Sequence, residues 1–421
     1  MITSNVEELQ NCICCGENEL TQILDLNQQP LANSYHDNKK DLEKYPLGLN
    51  LCDKCYHLQL THCVNPDLLF KDYLYVSGTS QTLKDNMEWF SSYVFTKYQL
   101  PVRTVLDIAC NDGTQLDFFK NAKPHKFLED LEKGIATYGI DPAENLYNNC
   151  KEKGHNVQCC YFGEHDKTLL PKMDVIIAQN VFAHNKNAQD FLKDCDELMH
   201  DDSLLYVQTS QANMIQENQF DTIYHEHLSF FNINSMNTLS QRVSGLFLID
   251  VVKTPIHGIS HLFVFSKNEE KIRNSRFEIQ NLLNVEKEMG LYTRETYDIY
   301  KENVLDITKK FTVTLQNARE NGFKIIGYGA AAKGMTLLNF ADEKLDYIID
   351  DNPLKQNLYT PGTNIEIKSV ELLKKYSDED KILFVPLAWN FYDEIKTRIL
   401  KVRKNKNDRF LRYFPQIKEE K

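Results

Sequence analysis

The sequence contains no apolar run approaching the roughly 18 residues that a membrane-spanning helix requires, and its opening residues, MITSNVEELQ, carry neither the basic stretch nor the apolar core of a secretion leader. These absences point away from a membrane partner and toward the cytoplasm as the expected compartment. Basic residues are also in deficit: 48 Lys plus Arg against 60 Asp plus Glu leave a formal charge of −12 at pH 7. A net acidic surface argues against a protein whose main task is to grip nucleic acid or anionic lipid. With 42% hydrophobic residues the chain is neither disordered nor fibrous, and 421 residues suffice for about three domains at roughly 150 residues each. In a reducing compartment the 11 cysteines read first as metal ligands or buried thiols rather than disulfides.

Four of those cysteines form two C-x-x-C pairs, Cys12 with Cys15 and Cys52 with Cys55. Two such knuckles supply the four thiolates of a closed tetrahedral zinc site, with a larger insertion between them than compact ribbons have. Cys14, His57, His62 and Cys63 are close enough in sequence to compete as ligands. A four-thiolate site has no open coordination position, so it supports folding and not catalysis.

From Thr104 the chain reads TVLDIACNDGTQLDFF, which predicts a strand, a tight loop and a helix. Asp107, Ala109, Asn111 and Gly113 lie in or beside that loop, where small residues let the backbone approach a cofactor. A second short strand, YGID, ends in Asp141, placed to accept hydrogen bonds from ribose hydroxyls. Further strands in MDVIIAQN and SLLYVQT complete the pattern of a doubly wound α/β domain. A loop of this kind serves a nicotinamide cofactor, S-adenosylmethionine or, as an ordinary α/β turn, no ligand; Asp107 favours S-adenosylmethionine, whose methionine end carries positive charge. His184 follows the strand-end sequence AQNVFAH, and FDTIYHEHLSFF brings Tyr224, His225, Glu226 and His227 in succession. In an extended segment alternate residues share a face, so Tyr224 is expected beside Glu226 and His225 beside His227. H-E-H lacks the i, i+4 spacing of a zincin, which argues against a catalytic zinc. An imidazole with a carboxylate neighbour is suited instead to moving protons near neutral pH.

Toward the C-terminus, long charged sequence from about Asn274 to Asn321 predicts one or two long helices. KIIGYGAAAKG then opens another strand, loop and helix, with Gly327, Gly329 and Ala332 fitting G-x-G-x-x-A and Asp350 following at the end of LDYIID. Read from residues alone, this is a dinucleotide fingerprint. It is equally compatible with a repurposed nucleotide fold whose loop and Lys333 face a shared cleft, or with a purely structural domain.

Taken together, CICCGENEL with DLNQQPLANSY, YPLGLNLCDKC, DYLYVSGTS, VLDIACNDGT, GIDPAENL, AQNVFAHN, FDTIYHEHLSFF, GYGAAAKGMTLLNF, IDDNPLKQNLYTPGTNIEI and AWNFYDEI resemble, in order, the S-adenosylmethionine-dependent nucleotide-sugar C-methyltransferases of branched deoxysugar biosynthesis. The resemblance implies an α/β chain of three domains: a zinc-binding module over 1–75, a Rossmann-like class I methyltransferase domain over 76–266, and a Rossmann-like α/β domain over 267–421 that contributes to nucleotide-sugar binding. It implies zinc on Cys12, Cys15, Cys52 and Cys55, and S-adenosylmethionine held by Asp107, Ala109, Asn111, Gly113, Asp141, Pro142, Gln179 and Asn180. Tyr75, His184, Tyr224, Glu226 and His227 match the polar residues around the sugar and the transferred methyl, with His227 as base and Glu226 balancing a histidine. His257, His261, Tyr328 and Lys333 would meet the substrate. Two departures stand out: Ala109-Cys110 replaces a commoner G-C pair, and in PIHGISHLFVF Ile259 and His261 stand where Gly and Arg are usual. The implied reaction is methyl transfer to a carbon, C-3, of a nucleotide-linked 4-keto-deoxysugar through an enolate, by a chain expected to be monomeric. The alternatives are a sugar-nucleotide-binding protein without catalysis and an NAD-dependent dehydrogenase using the C-terminal loop.

Overall fold

The computed structural model describes residues 5–70, 78, 81–98, 101–122, 134–210, 213–243, 245–256 and 258–421. Near the N-terminus, β1 (Val6–Glu8), β2 (Leu20–Gln29), β3 (Tyr45–Cys52), β4 (Leu58–Leu60) and β5 (His62–Val64) precede the short helix α1 (Asp67–Phe70). β1 pairs only with β5, whereas β2, β3 and β4 form an antiparallel sheet that packs its Leu and Ile residues inward.

The middle of the chain supplies α2 (Gln81–Lys97), β6 (Thr104–Ile108), α3 (Thr114–Lys120), β7 (Ala136–Ile140), α4 (Glu144–Glu152), β8 (Asn156–Gln158), β9 (Met173–Gln179), α5 (Ala188–Leu198) and β10 (Met199–Thr209). A two-residue strand β11 (Ser229–Phe230), helix α6 (Ile233–Ser240), β12 (Phe247–Thr254) and β13 (Ser260–Ser266) follow. Seven of these strands form one sheet in the order β12-β13-β10-β9-β6-β7-β8, parallel from β8 to β10 and antiparallel around β13. Its central strands read as continuous apolar runs because helices cover both faces. α5 shows how the sequence achieves that cover: Ala188, Phe191, Leu192, Cys195 and Leu198 recur at three- and four-residue intervals and are its buried positions.

The C-terminal part consists of α7 (Glu269–Glu288), α8 (Arg294–Glu320), β14 (Phe323–Tyr328), α9 (Ala332–Phe340), β15 (Tyr347–Ile349), β16 (Ile367–Lys368), β17 (Lys381–Pro386), α10 (Tyr392–Val402), β18 (Arg409–Arg412) and β19 (Lys418–Glu420). Its sheet runs β16-β15-β14-β17-β18-β19, parallel except at β19. In both large sheets the chain order reverses at the first strand of the unit, β6 or β14, where open α/β sheets place their ligands. Bonding and packing also cross the divisions expected from sequence. β11 adds to the N-terminal sheet by pairing with β4, and α7 lies on β12 of the seven-stranded sheet.

Candidate functional site

The thiols of Cys12, Cys15, Cys52 and Cys55 converge, all four sulfurs lying within 4.8 Å of one another. Cys12 and Cys55 are 3.6 Å apart and Cys15 and Cys52 3.5 Å, close to the roughly 3.8 Å edge of a tetrahedron with zinc–sulfur bonds of about 2.3 Å. The donor set and spacing therefore fit zinc. The rivals are engaged elsewhere: His57 Nε2 meets Ser229 Oγ at 3.2 Å, His62 Nδ1 meets Thr61 Oγ1 at 2.9 Å, and Cys63 approaches its neighbour's carbonyl. Cys14 is fully buried outside the quartet.

A large cavity of about 1630 Å3 runs from the ends of β6, β7 and β9 to the start of α9. That exceeds the 300–1,000 Å3 typical of a site for one small ligand, so there is room for two. Asp107, Ala109, Asn111, Asp141, Pro142, Gln179 and Asn180 line one end. Ala109, Asn111 and Asn180 all have positive φ, at 61°, 51° and 57°, a backbone strain typical of ligand-clamping loops. Asp141 holds this end together, Oδ2 accepting from the Asn111 N–H at 2.8 Å and Oδ1 from the Ala143 N–H at 2.9 Å. Asp107 has no side-chain hydrogen bond among the described residues, and burial, aided by the charges of Asp141 and Asp112, drives its carboxyl well above the ordinary range. A buried carboxyl that nothing neutralises fits a cationic ligand. Gln179 Nε2 is likewise buried without an acceptor. Gly113 does not line the cavity. It caps α3 at φ 76°, and a side chain there would meet His155 Cδ2 at 3.0 Å and Cys150 Sγ at 3.1 Å, so packing beneath the loop explains the glycine.

At the cavity's middle, His184, Tyr224, Glu226 and His227 come together. The expected alternation of faces does not hold. Residues 224–227 form a turn closed by His227 N–H to Tyr224 O at 2.9 Å, which brings Tyr224 beside His227 instead of Glu226. His225 faces away, its Nε2 3.3 Å from Tyr45 O, and burial lowers it to about 4. His227 Nδ1 lies 3.0 Å from Thr222 O and Nε2 2.9 Å from Tyr224 Oη. A carbonyl only accepts, so Nδ1 carries the proton and Nε2 of the neutral ring is the basic nitrogen, accepting from the Tyr224 hydroxyl. His184 stacks on His227 at 5.3 Å between centroids, and burial lowers it to about 4, leaving it neutral at pH 7.

Among the described residues Glu226 has no hydrogen bond to a histidine: its Oε1 accepts from Asn33 Nδ2 at 2.9 Å and its Oε2 has no hydrogen-bond partner there. Burial raises its pKa. Asn33 belongs to the loop after β2, so the zinc-bearing segment reaches directly into the cleft. Tyr35 of the same loop donates to Ala330 O at 2.6 Å, and Lys355 Nζ shares that carbonyl at 2.7 Å.

Lys333, near the start of α9, lines the far end with its ammonium 4.5 Å from the Trp389 ring centroid, and burial lowers its pKa. The G-x-G-x-x-A loop itself is already engaged: Asp350 Oδ2 accepts from Ala330 N–H at 2.6 Å and its Oδ1 from Asn352 N–H at 2.8 Å. Gly329, at φ 89°, would place a side chain 2.9 Å from Ala388. Asp350 is not on the cavity wall. Two sequence-based candidates also lie off that wall. Tyr328 points to Asp351 Oδ1 at 2.9 Å, and His261 is buried within β13 against Phe263 at 5.4 Å. Tyr75 and His257 fall outside the described residues.

Sequence reasoning gave no role to Asn33, Asp221, Lys355 or Trp389. The only signal was their position within the resembling blocks. Asn33 and Glu226 are 193 residues apart, beyond any spacing rule.

The seven-stranded sheet, the four-thiolate cluster and the cleft define a class I, zinc-containing methyltransferase with a second nucleotide-type fold at its C-terminus. Residues 12–70 match a family model described as "Putative zinc binding domain", 80–243 one described as "Methyltransferase domain", and 255–415 one described as "C-methyltransferase C-terminal domain". The chain is 26% identical over 402 residues to C-methyltransferase NovU of Streptomyces niveus, covering 93% of this chain and 92% of that protein. Three successive models running from 12 to 415, together with this relative, support an S-adenosylmethionine-dependent C-methyltransferase, with S-adenosylmethionine as cofactor and structural zinc on the thiolate cluster. Among solved structures, it resembles an S-adenosylmethionine-dependent methyltransferase of Clostridium acetobutylicum ATCC 824 at 10% identity, with a TM-score of 0.34 over 44% of this chain and 92% of that one. The plantazolicin methyltransferase BpumL is 14% identical, with a TM-score of 0.37 over 46% of this chain and 87% of that one.

Proposed function

We propose that the enzyme methylates a carbon, C-3, beside the keto group of a nucleotide-linked 4-keto-deoxysugar, and that three domains, 1–75, 76–266 and 267–421, share the work. The observation that carries this reading is the tautomer of His227. Its Nε2 is kept free of a proton and faces a tyrosine hydroxyl inside a cleft with room for two ligands. A C–H acceptor demands such a base, and an adjacent ketone makes the proton acidic enough for an imidazole to remove.

Bound S-adenosylmethionine supplies an electrophilic methyl on a sulfonium. The chain does the rest. Asp141 would hold the ribose, and Asp107 the cationic methionine end. His227 Nε2 takes the proton from the acceptor carbon. The Tyr224 hydroxyl, released from Nε2, turns its hydrogen bond to the developing oxyanion, assisted by neutral His184 as a donor. The carbanion so formed takes the methyl, and the proton on Nε2 passes to solvent. Lys333 and the N-terminal turn of α9 face the same cleft and would meet the negative charge of the nucleotide carrier.

The test is incubation with labelled S-adenosylmethionine and a panel of nucleotide-linked sugars with and without a 4-keto group. Label should enter only the keto sugars and resist release as an O-methyl group. Transfer to a hydroxyl, or equal transfer to sugars without the ketone, would overturn the reading.

A further inference from the structure

Immediately before the turn carrying Tyr224 and His227 lies Phe220–Thr222, a single 3-10 turn. Its consecutive residues are tied to the C-terminal part of the chain in an alternating way. Asp221 Oδ2 accepts from Trp389 Nε1 at 2.8 Å and, at 3.4 Å, shares the Tyr413 hydroxyl with the nearer Leu387 carbonyl at 3.0 Å. Two residues on, the Ile223 carbonyl accepts from Thr336 Oγ1 on α9 at 3.2 Å. Between these anchors stands Thr222, whose carbonyl receives the His227 Nδ1 proton at 3.0 Å. The Ile223 N–H to Phe220 O bond at 3.1 Å and the Thr222 Oγ1 to Gln219 O bond at 3.1 Å fix that carbonyl within its own turn, so the anchors on either side set where the turn as a whole stands against His227.

Asp221 is fully buried, and among the described residues its Oδ1 has no hydrogen-bond partner. A buried, half-satisfied carboxylate is a poor choice for stability alone, since an apolar residue of similar volume generally serves as well or better. Such a group is better explained by what it holds in place. Its partner Trp389 also packs under the Lys333 ammonium on the cavity wall, which places one end of this arrangement at the acceptor site.

We infer that Asp221 is a positioning residue: gripped by Trp389 and Tyr413, it holds the Thr222 carbonyl against His227 Nδ1 and so decides which ring nitrogen of His227 is free of a proton. The inference rests on the proposed base role of His227. The C-terminal segment thereby sets the state of the base through the Phe220–Thr222 turn.

The test is Asp221→Leu, which keeps volume and removes both oxygens. Two readouts apply: the nitrogen-15 spectrum of labelled histidine side chains, which reports the tautomer directly, and steady-state methyl transfer. In the wild type His227 should show a protonated Nδ1 and a bare Nε2. In Asp221→Leu that signature should give way to a mixture, and kcat should fall about 10- to 100-fold, as expected of a misplaced catalytic group. Affinity for S-adenosylhomocysteine should stay within about twofold, because Asp221 lies off the cavity wall. Asp221→Asn, which retains an acceptor for Trp389, should recover most of the rate, whereas Trp389→Phe should lose rate in the same direction as Asp221→Leu. An unchanged tautomer and rate in Asp221→Leu would overturn the inference. If Asp221→Leu does not fold, Trp389→Phe with native tautomer and rate would do so. Persistent proton exchange from the acceptor in a His227→Asn enzyme would instead remove the base reading, an outcome separate from the tautomer result.

Discussion

Replacing Asp141 by alanine removes an acceptor that is occupied before any ligand arrives. Its two oxygens bind the Asn111 and Ala143 N–H groups at 2.8 and 2.9 Å, and both donors belong to loops lining the cofactor end of the cleft. The substitution therefore has two separable effects. In the free enzyme two backbone donors lose a charged acceptor, while the burial that raises this carboxyl's pKa no longer penalises folding. The net loss of stability should be about 1–3 kcal/mol. In the complex, the lone pairs left over for two ribose hydroxyls are gone, weakening binding by about 1–3 kcal/mol, or roughly 5- to 150-fold in Kd. Asp141→Asn retains one acceptor oxygen and should show a smaller change in each quantity. Titration calorimetry with S-adenosylhomocysteine measures the second effect, and thermal unfolding of the free protein the first. Wild-type affinity in a folded Asp141→Ala enzyme would refute the placement of the nucleoside at this end.

His227→Asn should leave both ligands bound and slow methyl transfer by about 100-fold or more. With S-adenosylhomocysteine present, it should also abolish deuterium wash-in at the acceptor carbon, and exchange at the wild-type rate would reassign the base. Cys52→Ser should release zinc and lower the unfolding temperature before it alters chemistry; metal analysis finding stoichiometric zinc in the variant would contradict this. Gly113→Ala places a methyl in the left-handed region against His155 and Cys150, and should cost about 1–3 kcal/mol of stability with little change in cofactor affinity. His225 is lowered from 6.5 to about 4 by burial. The unfolded chain therefore binds its proton first on acidification, and the stability this histidine supports is intact above 6.5 and lost as pH falls toward 4. The difference in unfolding free energy between wild type and His225→Gln, measured by urea titration, should change across that window by up to about 1.4 kcal/mol per pH unit, and a pH-independent difference would show that His225 is not buried neutral.

The sheets were readable because their signal is local. TVLDIACNDG and KIIGYGAAAKG each hold an apolar strand, a turn and a helix start within a dozen residues, and the structure forms β6 with α3 and β14 with α9 there. The zinc ligands were readable for the same reason, two C-x-x-C pairs being a complete chemical statement. The arrangement at residues 224–227 was not. Treating that run as extended put Glu226 beside Tyr224, whereas a turn does the reverse, and period-2 reasoning fails wherever no ladder enforces it. Glu226 meets Asn33 and Asp221 meets Trp389 across separations of 193 and 168 residues. Such pairings depend on how whole segments dock, which no spacing records. The C-terminal fingerprint stayed ambiguous in sequence: Asp350 spends both oxygens on backbone N–H groups just as Asp141 does, and what separates them is that Asp141 lines the cavity and Asp350 does not.

The two-residue strand β11 has a bearing on how the protein can be divided. Ser229 and Phe230 pair with Gln59 and Leu58, and the Leu60 N–H reaches the Leu228 carbonyl at 2.9 Å. A fragment ending near residue 75 would carry all four zinc thiolates yet leave this edge of β4 open, a row of unpaired donors and acceptors that invites other chains. During synthesis the same edge waits until residue 230 has been made, so metal loading of the N-terminal knuckles cannot by itself complete the sheet. The metal-binding module is therefore not a portable unit, and the strand that finishes it begins two residues after the histidine proposed as the base.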